Sequence, residues 1–190
     1  LARRIETPVI YCNAVGGNDE LIFDGNSLAY TAEGELIAQG ASFKDESILV
    51  DTESSKIVIK EDDKLKEVYD ALVLGLRDYV SKCGFKSALV GLSGGIDSAL
   101  TAVIAESALG AENVFGVTMP SEFSSDGSVN DSLMLAENLG IGFEEVPISK
   151  SFSTIKEDLH EVFRDYEEDI TEENMQARIR GIFLMSISNK

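Results

Sequence analysis

With only Cys12 and Cys83, and a single histidine, His160, this 190-residue sequence has too few thiols and imidazoles for a disulfide framework or a Cys/His zinc site. A reducing cytoplasm is the expected compartment. Positive charge is scarce as well: 16 Lys and Arg stand against 34 Asp and Glu, for a formal net charge of −18. Such a surface repels nucleic acid and anionic membranes, so neither is expected as a partner. Long apolar runs are missing, the longest falling far short of a bilayer span, and no charged-then-apolar leader opens the sequence. What is present, 44% hydrophobic, suffices for one good core or parts of two in a soluble globular protein. Residue 1 is Leu rather than Met, and Met185 to Lys190 read as unfinished helix, so both ends are expected to be cut.

The most informative stretch is Gly91 to Leu100, GLSGGIDSAL, which follows Ala88-Leu89-Val90 and opens into the small apolar run Ala99 to Ala105. The pattern predicts a strand, a tight glycine turn and a helix start. Gly94 and Gly95 can take positive φ, and Ser93 and Ser98 place hydroxyls beside the free N–H groups of a helix beginning near Asp97. That is an anion site, most simply one for phosphate. The loop has no lysine, which excludes the GxxxxGK[ST] loop, and its spacing is not GxGxxG. Asp97 would repel a bare phosphate, and magnesium between carboxylate and pyrophosphate reconciles the two. By spacing alone, a glycine turn joining a buried strand to a helix capped by Asp97 and Ser98 remains open. SGGIDS, Ser93 to Ser98, resembles the pyrophosphate-binding loop of the ATP pyrophosphatases, which adenylate a substrate and release pyrophosphate. They include NAD, GMP and asparagine synthetases and tRNA-thiolating enzymes. The resemblance implies ATP contacts at Gly91, Leu92, Ser93, Gly94, Gly95, Ile96, Asp97 and Ser98, with Asp97 on Mg2+.

Earlier in the sequence, Pro8 to Asn13, Leu21 to Phe23, Ser27 to Ala32 and Glu35 to Ala41 alternate apolar residues between turn signals at Gly16-Gly17, Asp24-Gly25 and Glu33-Gly34. Antiparallel hairpins are expected, with Asn13, Gly16, Gly17, Asp19, Asp24 and Gly25 as turn residues at sheet edges. Tyr11 to Phe43 resembles the closing strands of the nitrilase-type amidase domain of glutamine-dependent NAD synthetases. In that family the catalytic cysteine, glutamate and lysine lie upstream of these strands, so no catalytic residue is expected here. Cys12 reads as a buried structural thiol in a strand. Ala41 to Lys60 is mixed and polar, which sets the expected boundaries: amidase-type residues 1–50, a linker over 51–62, and synthetase-type residues 63–190. A helix follows. Leu65, Val68, Tyr69, Leu72, Leu76, Tyr79 and Val80 form its apolar face as a packing layer on a sheet, and Lys64, Lys66, Glu67, Asp70 and Asp78 its polar one. Gly84 stops it, after Lys82.

Beyond the glycine loop, Val114 to Met119 and Glu144 to Ile148 read as buried strands separated by amphipathic helices. This implies a parallel sheet with ligands at the carboxyl ends of its strands. The loop after the second strand, Pro120 to Asp131, is rich in hydroxyls and precedes a helix over Ser128 to Leu139, with Ser128 as a possible cap. A solvated turn is the plain alternative. Val117 to Ile141 resembles the NAD synthetase segment that helps hold the adenylate. Ser121, Ser124, Ser125, Ser128 and Asp131 fall on motif positions, Ser125 among the ATP contacts. Ser132 replaces the family's usual alanine, and Glu122-Phe123 a basic or aromatic pair. Phe152, Ile155, Leu159, Val162 and Phe163 predict another helix, with His160 on its surface and an acid-rich solvated face and loop from Lys156 to Glu173.

The last segment, Thr171 to Lys190, starts at a predicted Thr171 cap and puts Asn174, Arg178, Gly181 and Met185 on one stripe. That stripe suits an extended anionic ligand or a close partner helix; a core helix whose Arg178 and Arg180 pair with the preceding acids is the alternative. EENMQARIRGIFLMSISNK resembles the family signature, which implies deamido-NAD binding at Asn174 and Arg178. The family's arginines face the nucleotide site, which maps to Arg178 and less directly to Arg180, and Arg178 would offset phosphate charge. Over residues 4 to 190 the resemblance implies an α/β fold: an adenine-nucleotide-hydrolase-like parallel sheet preceded by closing strands of a nitrilase-like sandwich. It also implies amidation of deamido-NAD with ATP and Mg2+, ammonia coming from glutamine, in a protein that is homo-oligomeric at full length. The chain alone is expected to show neither glutaminase turnover nor efficient NAD synthesis, and exposed Ile179, Ile182, Phe183 and Leu184 to promote self-association. Two other classes stay open. A tRNA-thiolating enzyme shares only the Ser93 to Ser98 loop, and a non-catalytic scaffold would keep the apolar helices without binding ATP.

Overall fold

Gly84 and the strand that follows it mark the place where the chain changes architecture. In the computed structural model, which describes residues 1–58, 63–122 and 124–190, one unit is Leu1–Phe85 and the other Lys86–Lys190. Residues 59–62 of the expected linker, and Phe123 of the Glu122-Phe123 pair, lie outside the described residues.

In the first unit, α1 (Ala2–Ile5) precedes β1 (Val9–Tyr11), β2 (Val15–Asn18), β3 (Leu21–Asp24), β4 (Leu28–Tyr30), β5 (Leu36–Gln39) and α2 (Lys64–Lys82). β1, β4 and β5 form an antiparallel sheet in that order, with Val9 opposite Tyr30 and Leu28 opposite Gln39. Positive φ at Gly25 and Gly34 makes the expected turns. Gly16 and Gly17, expected as a turn, instead lie in β2 and pair with Phe23 and Ile22 of β3; the turn falls at Asp19 and Glu20. The reason lies in α2. A Cβ on Gly17 would stand 3.3 Å from the Gly75 Cα, so two bare backbones touch where helix meets hairpin. The Gly17 N–H donates to Asp78 Oδ2 at 2.7 Å, and Lys82 Nζ donates to the Gly17 carbonyl. Asp78 therefore sits on the packed side of α2, while Leu65, Val68, Leu72 and Tyr79 are exposed, and Val73, Leu74 and Val80 are buried. This reverses much of the expected division of the helix into faces. Cys12 is also corrected: it is exposed, because β1 is a three-residue edge strand and the chain leaves it before the thiol can be covered.

The second unit runs β6 (Ala88–Leu92), α3 (Ile96–Leu109), a 3-10 turn, β7 (Val114–Thr118), α4 (Asp126–Leu139), β8 (Gly142–Glu145), α5 (Ser149–Phe163) and α6 (Ile170–Ser188). The sheet is parallel in the order β6-β7-β8, Ala88 facing Val114 and Thr118 facing Glu145. Its α/β pattern is the one expected. The third strand begins two residues earlier than its apolar run suggested, although Val146 and Ile148 still donate to the Thr118 and Pro120 carbonyls, each at 2.9 Å. Alanines 102, 105 and 108 are the buried residues of α3. Val117, Met119, Ile148, Phe152 and Ile179 form a core cluster, on which Leu89, Phe183 and Leu184 pack. Of the four apolar residues of α6 expected to be exposed, only Ile182 is, because α6 lies against β6 and covers its own apolar side. The α6 cap is Asp169, two residues before Thr171, in a capping box with Glu172.

Candidate functional site

Buried Leu92 ends β6, and the next three residues turn into α3. Only Gly94 takes positive φ, at +78°; Gly95 is at −92° and serves as the α3 N-cap without a side chain. Neither Asp97 nor Ser98 caps the helix. Instead Ser98 Oγ accepts the Ser93 N–H at 3.2 Å and donates to the Gly95 carbonyl at 2.9 Å, with Ser93 Oγ 3.1 Å away. The Gly95 N–H donates to Ser93 Oγ at 3.3 Å. The two hydroxyls thus hold the loop open around the start of α3, whose first-turn N–H groups have no partner within the helix and carry its positive dipole end.

The loop after β7 meets this one. Ser125 caps α4, its Oγ accepting the Ser128 N–H at 3.2 Å, so the cap expected at Ser128 lies three residues earlier. Ser128 Oγ is 2.8 Å from Ser125 Oγ, and the Ser121 N–H donates to Ser124 Oγ at 3.0 Å. A Cβ on Gly94 would lie 2.6 Å from both Cα and carbonyl oxygen of Ser128. The first turn of α4 therefore rests on the one glycine with positive φ in the loop between β6 and α3. Ser132, where alanine was the usual expectation, is buried and donates to the Ser128 carbonyl at 2.9 Å, fixing the same turn.

Between the loops lies a cavity of about 340 Å³ lined by Gly91, Leu92, Ser93, Thr118, Met119, Ser124, Ser128, Val129, Arg180 and Leu184, among others. Gly94, Gly95, Ile96, Ser98 and Asp131 border a second groove of about 410 Å³ between α3 and α4. Asp97 is exposed in the first turn of α3. Among the described residues no group of three or more His, Cys, Asp or Glu side chains could hold a metal. A single carboxylate such as Asp97, beside a loop of hydroxyls and free N–H groups, nevertheless fits Mg2+, which takes one or two protein carboxylates and fills its shell with phosphate oxygens and water.

Asn174 and Arg178 do not enter this cavity: both are exposed, and Arg178 Nη1 donates back to the Asn174 carbonyl at 3.1 Å. Arg180 does. Its Nε donates to the Met119 carbonyl at 3.1 Å and its Nη2 approaches Gln176 Oε1 at 3.5 Å, while burial pushes its pKa below the usual arginine value. Gln176, Arg180 and Leu184 recur every fourth residue, a spacing that could have singled out this inward stripe beside the outward one through Asn174 and Arg178.

A family model described as NAD synthase matches residues 68–190. A glutamine-dependent NAD(+) synthetase of Synechocystis is 46% identical across 100% of this chain, which covers 35% of that protein. One from Thermotoga maritima is 44% identical, matching 95% of this chain and 38% of its own length. Among solved structures, a glutamine-dependent NAD+ synthetase from Acinetobacter baumannii in complex with adenosine diphosphate superposes with a TM-score of 0.89 at 40% identity. That match covers 99% of this chain and 37% of the other. The chain thus spans a little over a third of the length of these relatives.

Proposed function

This chain belongs to the NAD synthase family, and we propose on that premise that it carries the ATP-binding part of an enzyme that amidates deamido-NAD to NAD. The observation that carries the reading is the interlocked cradle of Ser93, Gly94, Ser98 and Ser128 at the start of α3. Residues 1–50 are assigned to the end of a nitrilase-like amidase domain, 51–62 to a linker and 63–190 to the first part of the synthetase domain. The family match over residues 68–190 supports the last assignment and the names of the glutamine-dependent relatives the first, while α2 packs within the first unit.

In the proposed reaction, the nicotinate carboxylate of deamido-NAD attacks the α-phosphorus of ATP. An oxygen–phosphorus bond forms, the bond to the β-phosphate oxygen breaks, and pyrophosphate leaves. Ammonia, drawn from glutamine, then displaces AMP and gives the amide. No side chain need act as nucleophile; the protein positions reactants and stabilises charge. The backbone from Gly91 to Ser98, with the Ser93 and Ser98 hydroxyls, receives the pyrophosphate end of ATP, and Ser125 holds the second loop in place. Asp97 would hold Mg2+, which when bound screens phosphate charge. Asn174 and Arg178, exposed on α6, are proposed to bind deamido-NAD. Homo-oligomeric assembly at full length and a cytoplasmic location are part of the same proposal.

The test is equilibrium titration with ATP in the presence of Mg2+. Saturable binding is expected, weakened about tenfold or more in Ser93→Ala/Ser98→Ala, with the Mg2+ dependence lost in Asp97→Ala. Absence of ATP binding, or saturable tRNA binding in its place, overturns the reading.

A further inference from the structure

The carbonyl oxygen of Ser128 is touched from two sides. From within α4 it accepts the Ser132 hydroxyl at 2.9 Å, in addition to the ladder bond that such a position accepts in a helix. From outside it meets the loop between β6 and α3, where a Cβ on Gly94 would stand 2.6 Å from it. Thr101, Thr154 and Ser186 make the same bond to the carbonyl four residues before them, but each of these hydroxyl-bearing residues is exposed, so water competes for the donor. Ser132 is 1% exposed and cannot turn to water. A buried hydroxyl that loses its acceptor carries the full desolvation cost, so this bond holds the Ser128 carbonyl in place. A second donor on a helix carbonyl also bends the turn that carries it. Ser132 borders the groove of about 410 Å³ between α3 and α4 together with Gly94, Gly95 and Ser98, which puts it on the side of α4 that faces the first loop.

We infer that Ser132 is a positioning residue, whose hydroxyl sets how closely the loop after β7 seats on the loop after β6. Moving the Ser128 carbonyl moves the turn in which Ser128 Oγ lies 2.8 Å from Ser125 Oγ and the Ser128 N–H reaches the same oxygen. Gly94 has no side chain that could yield, so the displacement passes to the backbone of the facing loop. There the Ser93 and Gly95 N–H groups are held by the Ser98 and Ser93 hydroxyls at 3.2 and 3.3 Å. The consequence for binding rests on the ATP reading above. Ser132 does not line the cavity between the loops; it fixes the spacing between the hydroxyls of Ser93 and Ser98 on one side and of Ser124 and Ser128 on the other, which receive the phosphate end of the nucleotide.

Amide exchange in the nucleotide-free protein tests the contact, in wild type, Ser132→Ala, Ser132→Thr and the control Ser186→Ala. Ser132→Ala should speed exchange about tenfold at Ser128 and also at Ser93 and Gly95 across the contact, while Ala105 in the middle of α3 stays as in wild type. Ser132→Thr keeps a hydroxyl able to reach the same carbonyl and should keep the protection, and Ser186→Ala should leave these amides unchanged. Faster exchange confined to α4, or spread evenly through the second unit, would make Ser132 a helix or folding residue alone and overturns the inference. In titrations, Ser132→Ala should weaken ATP about three- to tenfold and AMP less than about twofold, because AMP lacks the phosphates that the two loops hold. Equal losses for the two nucleotides, or none, overturn the consequence for binding. Wild-type protein that binds no ATP overturns the ATP reading itself, and the exchange result, read without nucleotide, still decides the contact.

Discussion

Gly94→Ala should do more damage than any other single methyl group added to the loop between β6 and α3. Its φ of +78° lies where L-residues are strained, at a cost of about 1–2 kcal/mol. The added Cβ would also stand 2.6 Å from the Cα and carbonyl oxygen of Ser128, and 2.9 Å from its Cβ. Those atoms belong to the first turn of α4, so no rotamer change can relieve the contact, and overpacking of this kind adds about 1–3 kcal/mol. The total, about 2–5 kcal/mol, is large against the stability of a domain this size. Denaturant unfolding of wild type, Gly94→Ala and Gly95→Ala measures it. Gly95 has φ of −92° and a nearest neighbour, Ser93 Oγ, at 3.3 Å, so Gly95→Ala should cost about 1 kcal/mol or less as an N-cap change. ATP affinity should fall with Gly94→Ala, since relief of the clash separates the two serine loops. Similar losses in both variants would refute the claim that Gly94 is the contact on which the loops interlock.

Other perturbations test the frame around the site. Phe152→Ala removes the largest fully buried side chain of the second unit, only 1% exposed, and should destabilise it by about 3–5 kcal/mol in denaturant unfolding. Asp78→Ala removes the acceptor of the Gly17 N–H and should cost about 1.5–3 kcal/mol, read as faster amide exchange at Gly17 and its β3 partner Ile22; unchanged exchange would contradict the packed placement of Asp78. Hydrogen bonds from Thr171 hold the Asp169 carboxyl below its ordinary range. A carboxyl with a depressed folded-state pKa adds stability above its unfolded value and loses it as pH falls through the folded one. The first turn of α6 should therefore fray below about pH 4, and Asp169→Ala should abolish that pH dependence in amide exchange of Thr171 and Glu172.

The glycine loop was legible because its chemistry is local. Strand, turn, hydroxyls and helix start all lie within ten residues, and the turn at Gly94 and the helix boundary at Ile96 follow from them. The parallel sheet was legible for a related reason, since alternating apolar strands and amphipathic helices with short connections leave little other choice. The two faces of α2 were not. Which side of that helix is covered depends on Gly16 and Gly17, some sixty residues earlier, whose missing side chains admit the helix backbone and whose peptide groups recruit Asp78 and Lys82. A hydrophobic pattern cannot reveal an attraction between a bare strand and a polar stripe. The same limit separates Arg178 from Arg180. They lie two residues apart on one helix, and only the packing of Ile179, Phe183 and Leu184 against the core turns one inward and the other out.

A net charge of −18 does not conflict with the proposed phosphate site. In a parallel sheet, the helices that follow β6 and β7 both begin at the same edge, so α3 and α4 bring their N-termini to one crevice and their positive dipole ends add there. Gly94 lets the two starts touch, and Arg180 puts a full charge on the opposite wall. Many of the acids stand elsewhere, among them Glu161, Asp165, Glu167 and Glu168 around the α5–α6 connection. At physiological ionic strength, exposed charges more than about 8 Å away are largely screened, whereas partly buried groups inside the cavity are not. A long polyanion would have to cross the acidic surface to bind. A small one, short enough to lie wholly within the cavity, meets only the local field. The proposed nucleotide site is therefore compatible with an acidic surface.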